Sequence, residues 1–484
     1  MTRRLCSSFL LVAGFLSATE GIVNEVCADK PALFESINRR DEAVWKVARD
    51  IWGFAEPGYQ ETKSSTALRE FLEESGFAIE SKIGGIPTAF TATVGSGKPV
   101  IGILGEFDAL PGLSQNAVPY REPVKEGGYG HGCGHHLFGA ASASAAIAIA
   151  EQIKAGTIKG TVRFYGCPAE EGGSGKVFMA QAGVFKDCDA VLHWHPSHEN
   201  SAGDRSTLAR MAVKFRYHGK AAHAAGAPEQ GRSALDAVAL TNYAAELMRE
   251  HTPDQSRIHH VITAGGRAPN VTPDFAEVYY YIRHPDGEVV RQLYERLVLC
   301  AKAGALATET RLEIRFEGGI REILPNNALS QVTMRNLKEL CDLEYGDEET
   351  EFALKLQATL DSPGPLNLIQ EIADKSGTVG KGSTDVGDVS WLVPTTGFTT
   401  SCWVPGTPAH SWQAVASGGS TIGRKGLNLA ARVLAASAWD LYTKPELLEE
   451  GKLEHARRIG DRGYQSLMVK GQKPSLDYRD PPKR

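Results

Sequence analysis

The sequence predicts an α/β catalytic domain on a mainly parallel sheet, with a ferredoxin-like α+β lid or dimerisation domain inserted into it. Three observations lead there. Short apolar runs alternate with helix-forming stretches, the pattern of strands wrapped by helices. Those runs end in clusters of Cys, His, Asp and Glu, and in parallel sheets ligands gather at the carboxyl ends of strands. Between residues 207 and 321 the rhythm changes to β-α-β-β-α-β, the order of a ferredoxin-like unit.

In chain order, Arg3 and Arg4 precede an apolar run at residues 5–16 and then small residues. This reads as an export leader over residues 1–28, cut after Val26-Cys27-Ala28, and directs the mature chain to the periplasm or outside the cell. The run is too short to span a bilayer; the competing reading is a short buried helix in a chain that stays cytoplasmic. The catalytic domain is expected over residues 29–206 and 322–445, the lid over 207–321 and a charged tail over 446–484. Residues 33–54 and 62–75 have helical apolar spacing, the second stretch stopped by Gly76. Strands are expected at 100–104, 161–165, 190–192 and 397–404. The Ala- and Ser-rich stretch 137–155 suits a helix lying close on a sheet, and 427–442 forms the closing helix. Within the lid, strands are expected at 208–218, 257–264, 275–284 and 310–317, with helices at 232–251 and 287–305. The tail is charged and has little apolar pattern, so its sequence carries little information.

Composition narrows the function. The chain of 484 residues has a net charge of -6 and no basic stretch, which argues against nucleic acid as a partner. Beyond the leader, Cys133, Cys167, Cys188, Cys300, Cys341 and Cys402 are widely scattered, against a disulfide framework, although one or two bridges stay open.

The chemistry concentrates in Gly130 to Gly139, Gly-His-Gly-Cys-Gly-His-His-Leu-Phe-Gly. Thiolate and imidazole bind divalent metals, and glycines let Cys133 and His135 reach one point. A glycine-rich turn with incidental histidines is the bland alternative, and two ligands are fewer than a stable site needs. Strand ends elsewhere supply Asp108, Glu170, Glu171, His195 and His410. Successive side chains diverge, so of Glu170 and Glu171 one can bind metal while the other serves as general base. A His-Glu-x-x-His helix, a phosphate-binding loop and a Gly-x-Ser-x-Gly elbow are all missing.

Gly105 to Pro111, Gly130 to Gly139, Pro168 to Gly173, His193 to Pro196 and Pro408 to Ser411 together resemble the aminoacylase/carboxypeptidase-type co-catalytic metallopeptidase family, in its amidohydrolase branch. The resemblance implies a zinc-peptidase-like catalytic domain. It implies two divalent ions, zinc or manganese, held by Cys133, His135, Glu171, His195 and His410, with Glu170 as base and Asp108 supporting the ligands. His223 of the lid would stabilise the oxyanion, often across a dimer, and Asn270 and Arg283 would hold the substrate. It further implies hydrolysis of N-acyl or N-aroyl amino acids such as p-aminobenzoyl-glutamate, by a homodimer or a heteromer with a related subunit. A dipeptidase, another N-acyl-amino-acid hydrolase, or an inactive relative that only binds are the alternatives. His136 departs from the aspartate of the wider branch, and a leader is unlike a cytoplasmic hydrolase.

Overall fold

The computed structural model describes residues 30–479, so the expected leader lies outside the described residues. The predicted first helix is two, Pro31–Arg39 and Asp41–Phe54, because Arg40 leaves helical geometry at φ -102 and ψ 1. Lys30 is buried at the start and bonds Asp440 and Asn336 at 2.9 and 2.8 Å. Helix Thr62–Glu74 follows, then β1 (Ala78–Ser81), β2 (Phe90–Ser96) and β3 (Val100–Glu106). Every residue of β3 is buried, as a strand covered on both faces requires. Helix His135–Lys154 lies across it, and small residues set the spacing: a Cβ added to Gly105 would meet the Gly139 Cα at 3.3 Å.

The remaining strands of the large sheet are β4 (Gly160–Cys167), β5 (Ala190–Ser197) and β6 (Asn200–Ala202), with two more contributed after the lid. The lid comprises β7 (Ala209–His218), helix Ala234–Arg249, β8 (Arg257–Ala264), β9 (Phe275–His284), helix Gly287–Thr308 and β10 (Arg311–Ile320). Its strands pair antiparallel in the order β10-β7-β9-β8, the ferredoxin-like arrangement that the element order predicts. The chain then returns through helix Asn327–Leu340, β11 (Ile372–Asp374) and β12 (Thr395–Ser401).

The large sheet has eight strands in the order β1-β2-β4-β3-β5-β12-β6-β11. Its centre, β4-β3-β5-β12, is parallel, while β1, β2 and the β12–β6 pair run antiparallel. The strand expected at 190–192 continues to Ser197, so His193 and His195 sit within it rather than after it. Helix Thr421–Thr443 packs on His135–Lys154 behind the sheet.

The tail, uninformative in sequence, is ordered in the fold. It forms helix Pro445–Ile459, buries Leu467 and Met468, and ends against the catalytic turn, where Tyr478 donates to the Glu171 carbonyl at 3.0 Å. Its contacts join residues hundreds of positions apart, which local periodicity cannot register. All six cysteines among the described residues are free thiols, and no helix there is long and apolar enough to cross a membrane.

Candidate metal centre

The parallel strands converge on one place. β3 runs into Glu106-Phe107-Asp108, β4 into Cys167-Pro168-Ala169-Glu170-Glu171, and β5 carries His193 and His195. Cys133 and His135 arrive at the amino end of helix His135–Lys154 through Gly134, which holds φ 78 and against which an added Cβ would meet Pro196 at 2.7 Å. Only glycine fits that turn. Around the centre the backbone leaves ordinary geometry at non-glycine positions, with positive φ at Ala169, Ser174 and His410 (56, 62 and 59), as happens at sites over-determined by their surroundings.

Donor atoms gather in overlapping groups, each within 4.8 Å: Cys133, His135 and His195; Cys133, Glu171 and His410; and Glu106, His135 and Glu170. All five ligands expected from the sequence are thus together, with Cys133 shared between two groups. The Cys133 Sγ lies 3.4 Å from the His195 Nε2. His195 Nδ1 is 2.7 Å from the Pro196 carbonyl, and His135 Nδ1 is 2.8 Å from Asp108 Oδ1. Both contacts occupy Nδ1, so that Nε2 is the ring nitrogen each histidine would offer a metal. Asp108 also accepts the Glu171 amide at 2.9 Å, so it braces two ligands at once.

The unpaired atoms fit a pair of divalent ions. Glu106 Oε2, His135 Nε2 and Glu171 Oε1 are buried without a hydrogen-bond partner among the described residues. Glu106 Oε2 and His135 Nε2 are only 3.0 Å apart, and Glu171 Oε1 is 3.2 Å from His410 Nε2, but neither approach has hydrogen-bond geometry. Lone pairs aimed at a common point without bonding one another are what a cation between them requires.

Electrostatics separates the two adjacent glutamates. Burial, followed by the charges of Glu106 and Glu171, pushes the Glu170 carboxyl well above its ordinary range. Burial works the same way on Glu171, but His410 and His135 outweigh it and hold Glu171 below that range. Burial and the neighbouring His135 lower His195 to about 4, so its imidazole is neutral. His193, lowered by burial to about 3, lines the same cavity but joins none of the donor groups.

Other predicted residues divide. Arg283 lines the cavity of about 810 Å³ that contains Cys133, Glu170 and His410. His223 and Asn270 do not line it: both are exposed on the lid, near each other, with the Ala224 amide bonded to the Asn270 carbonyl. His131 and His136 are buried away from the donors, with Nε2 at 3.0 Å from the Ile51 carbonyl and 3.1 Å from the Gly418 carbonyl respectively. His136, held neutral by burial and by His131, therefore packs the core behind the site.

Several neighbours are not among the sequence candidates. Glu106 ends a strand that is otherwise apolar, and a charge in such a strand is the available signal. Lys176 is fully buried between Glu106 and Asp385, with Nζ 2.6 Å from Asp385 Oδ1. Glu61 is fully buried and accepts the Ala169 amide at 2.8 Å, anchoring the turn that presents Glu170. Arg210 and Arg479 line the cavity beside Arg283.

A parallel α/β sheet whose strand ends bring together thiolate, imidazole and carboxylate donors, beneath an inserted lid, defines a metal-dependent hydrolase. The chain belongs to Peptidase family M20/M25/M40, whose model matches residues 102–414. It is 40% identical to the B-type component of the p-aminobenzoyl-glutamate hydrolase of Escherichia coli over 457 residues, 89% of this chain and 95% of that protein. It is 31% identical to the Xaa-Arg dipeptidase of Mus musculus, over 86% of this chain and 89% of the relative. In fold it is similar to a dinuclear metal binding peptidase of Bacillus subtilis, with a TM-score of 0.55 and 17% identity over 84% of this chain and 99% of that one.

Proposed function

We propose that the chain is a dinuclear metal amidohydrolase that cleaves N-acyl or N-aroyl amino acids, foremost p-aminobenzoyl-glutamate, to the free acid and the amino acid. The observation that carries this reading is the convergence of Cys133, His135, Glu171, His195 and His410 into overlapping donor groups with Glu170 beside them, and the opposite displacement of Glu170 and Glu171 agrees with it. One carboxyl is set up to hold a proton and the other to stay ionised, the division of labour between a proton carrier and a ligand. The substrate assignment leans on the Escherichia coli relative.

In this reading Cys133, His135, Glu171, His195 and His410 hold the two ions, and Asp108 fixes His135 and the Glu171 amide. Bound there, divalent ions supply Lewis-acid polarisation of the amide carbonyl and make water acidic enough to attack. Glu170 accepts the proton of the attacking water and returns it to the leaving nitrogen. Arg283 takes a substrate carboxylate, to which its two-pronged guanidinium is matched. The thiolate favours zinc and the carboxylates suit manganese.

His223 and Asn270 would act on the cavity of a second copy. A homodimer is supported by the lid's edge strand β8, exposed along most of its length with Val261 and Ile262 outward. Helix Ala234–Arg249 adds exposed Leu240, Tyr243 and Leu247. A heteromer with a related chain is the alternative, suggested by the name of the Escherichia coli relative, which is one component of a larger hydrolase. The basic and apolar segment at residues 3–16 supports an exported location.

The test is to purify residues 29–484, strip metal, restore zinc or manganese separately, and assay p-aminobenzoyl-glutamate, other acyl amino acids and Xaa-Arg dipeptides. Release of p-aminobenzoate is expected only with metal restored. Tight binding without product sinks the enzyme reading. Preference for Xaa-Arg peptides replaces it by the dipeptidase reading that the mouse relative favours.

A further inference from the structure

Two guanidiniums face Tyr281 across the cavity wall, and a third lies on the same wall. Arg210 on β7 lies 4.8 Å from the Tyr281 ring centre and Arg283 on β9 lies 5.5 Å from it. Arg479 reaches the same wall from the tail: its side chain bonds the Glu171 carbonyl and stacks at 4.8 Å on Tyr478. Tyr478 and Tyr281 flank Gly172, since a Cβ there would sit 3.4 Å from the Tyr478 ring and 3.6 Å from the Tyr281 hydroxyl. Although burial opposes it, Arg210, the Tyr279 hydroxyl, Arg479 and Arg283 together hold Tyr281 below the ordinary tyrosine range.

The wall is unusual in what it lacks. Arg210 is only 5% exposed, yet among the described residues none of the three arginines forms an ion pair with a carboxylate. Arg210 has only a 3.4 Å contact to Ser174 Oγ, and Arg283 a 3.3 Å contact to Ser383 Oγ. In all three, Nε is buried without a partner. An uncompensated buried charge such as Arg210 is costly, and with the half-buried Arg283 and Arg479 on the same wall the cavity holds more positive charge than one carboxylate answers.

We propose that Arg210, Arg283 and Arg479 form a single receptor for a dicarboxylic amino acid, holding both carboxylates of the acidic half of the substrate, with one arm supplied by the C-terminal tail. The inference rests on the amidohydrolase reading and narrows it to acyl derivatives of glutamate or aspartate. Arg479 lies in the C-terminal tail, beyond the residues 102–414 that the family model matches. The tail is also fastened to the lid, because Arg315 on β10 pairs with Asp477 at 3.0 Å.

The test compares p-aminobenzoyl-glutamate with p-aminobenzoyl-glutamine, equal in shape with one carboxylate fewer. The wild-type chain, loaded with its metal, should prefer the glutamate compound by about 100-fold or more in kcat/KM, mainly through KM, because the amide leaves buried charge unanswered. Arg210→Gln and Arg479→Gln should each shrink that preference by about tenfold or more, with partial recovery in Arg479→Lys. Calorimetry on the inert Glu170→Gln protein should show the same preference in binding. Equal binding of the two compounds overturns the receptor whether or not the enzyme turns over; variants that slow both substrates alike overturn the assignment of the arginines. Preferential binding without any hydrolysis leaves the receptor standing and defeats the proposed reaction instead.

Discussion

Two buried charged regions lie side by side in this molecule and are built oppositely. Beneath the catalytic turn, Lys176 sits at 0% exposure between Glu106 and Asp385 and also receives Asp385 at its own amide, 2.8 Å away. Burial works against its charge, but Asp385 and Glu106 outweigh that and hold its pKa well above the ordinary lysine range. Across the cavity Arg210 is almost as buried and has no carboxylate partner among the described residues. In the first region the lysine charge is answered within the chain, and the pairing holds β3, the turn and the loop before helix Val386–Ser390 together. The second is incomplete without something anionic. Burial alone therefore does not distinguish a structural charge from a functional one; the pairing does.

The largest effect should come from the residue between the regions. Glu170→Gln is expected to reduce turnover by about 10² to 10⁴-fold while metal content, read by elemental analysis, stays at the wild-type level. Near-normal turnover would dissolve the division between Glu170 and Glu171. Next, Lys176→Met should lower unfolding stability by about 3–5 kcal/mol in a denaturant titration, because it strands two buried carboxylates. Arg210→Met, an equally drastic change on paper, should cost much less in the same titration, since the charge it removes has a tyrosine ring and a hydroxyl beside it but no carboxylate partner among the described residues. Equal losses in the two variants would erase the contrast. The smallest effect concerns Asp388, raised by burial to about 7 despite bonds from the Arg321 amide and the Tyr464 hydroxyl at 2.8 Å each. A carboxyl held protonated in the fold binds its proton more tightly than in the unfolded chain. Its contribution should therefore be present at low pH and fall away as pH rises from about 4 to about 7. Asp388→Asn should flatten that part of the stability profile, and an unchanged slope would count against it.

Much of this is legible in the amino-acid sequence alone. The lid is the clearest case: strands Arg257–Ala264 and Phe275–His284 have the expected bounds, because each is a local run punctuated by turn residues. The donor cluster is legible because Cys133, His135, Glu171 and His410 follow strands or glycine turns, where side chains of those types have few other uses, while His195 lies inside β5 near its carboxyl end. Arg210 is not, because within β7 it reads as one more polar residue in an alternating strand. Lys176 is hidden in the same way, its partners lying 70 and 209 positions away. Arg479 sits in a stretch with no pattern, and its meaning comes from contact with Glu171, 308 positions earlier. His223 and Asn270 mark another limit: only the family resemblance gives them a role, and the fold of one chain leaves them outside its own cavity.

The position of β12 has a consequence for how the molecule is made. It lies between β5 and β6, with Thr395 beside Val191, so the middle of the large sheet stays open until a late segment leaves the ribosome. At translation rates of roughly 5–20 residues per second, the edge of β5 waits about 10 to 40 seconds for its neighbour. The lid, continuous in sequence, ends at Ile320, before β12 begins at Thr395, so during synthesis it would be a finished module tethered to a half-built sheet.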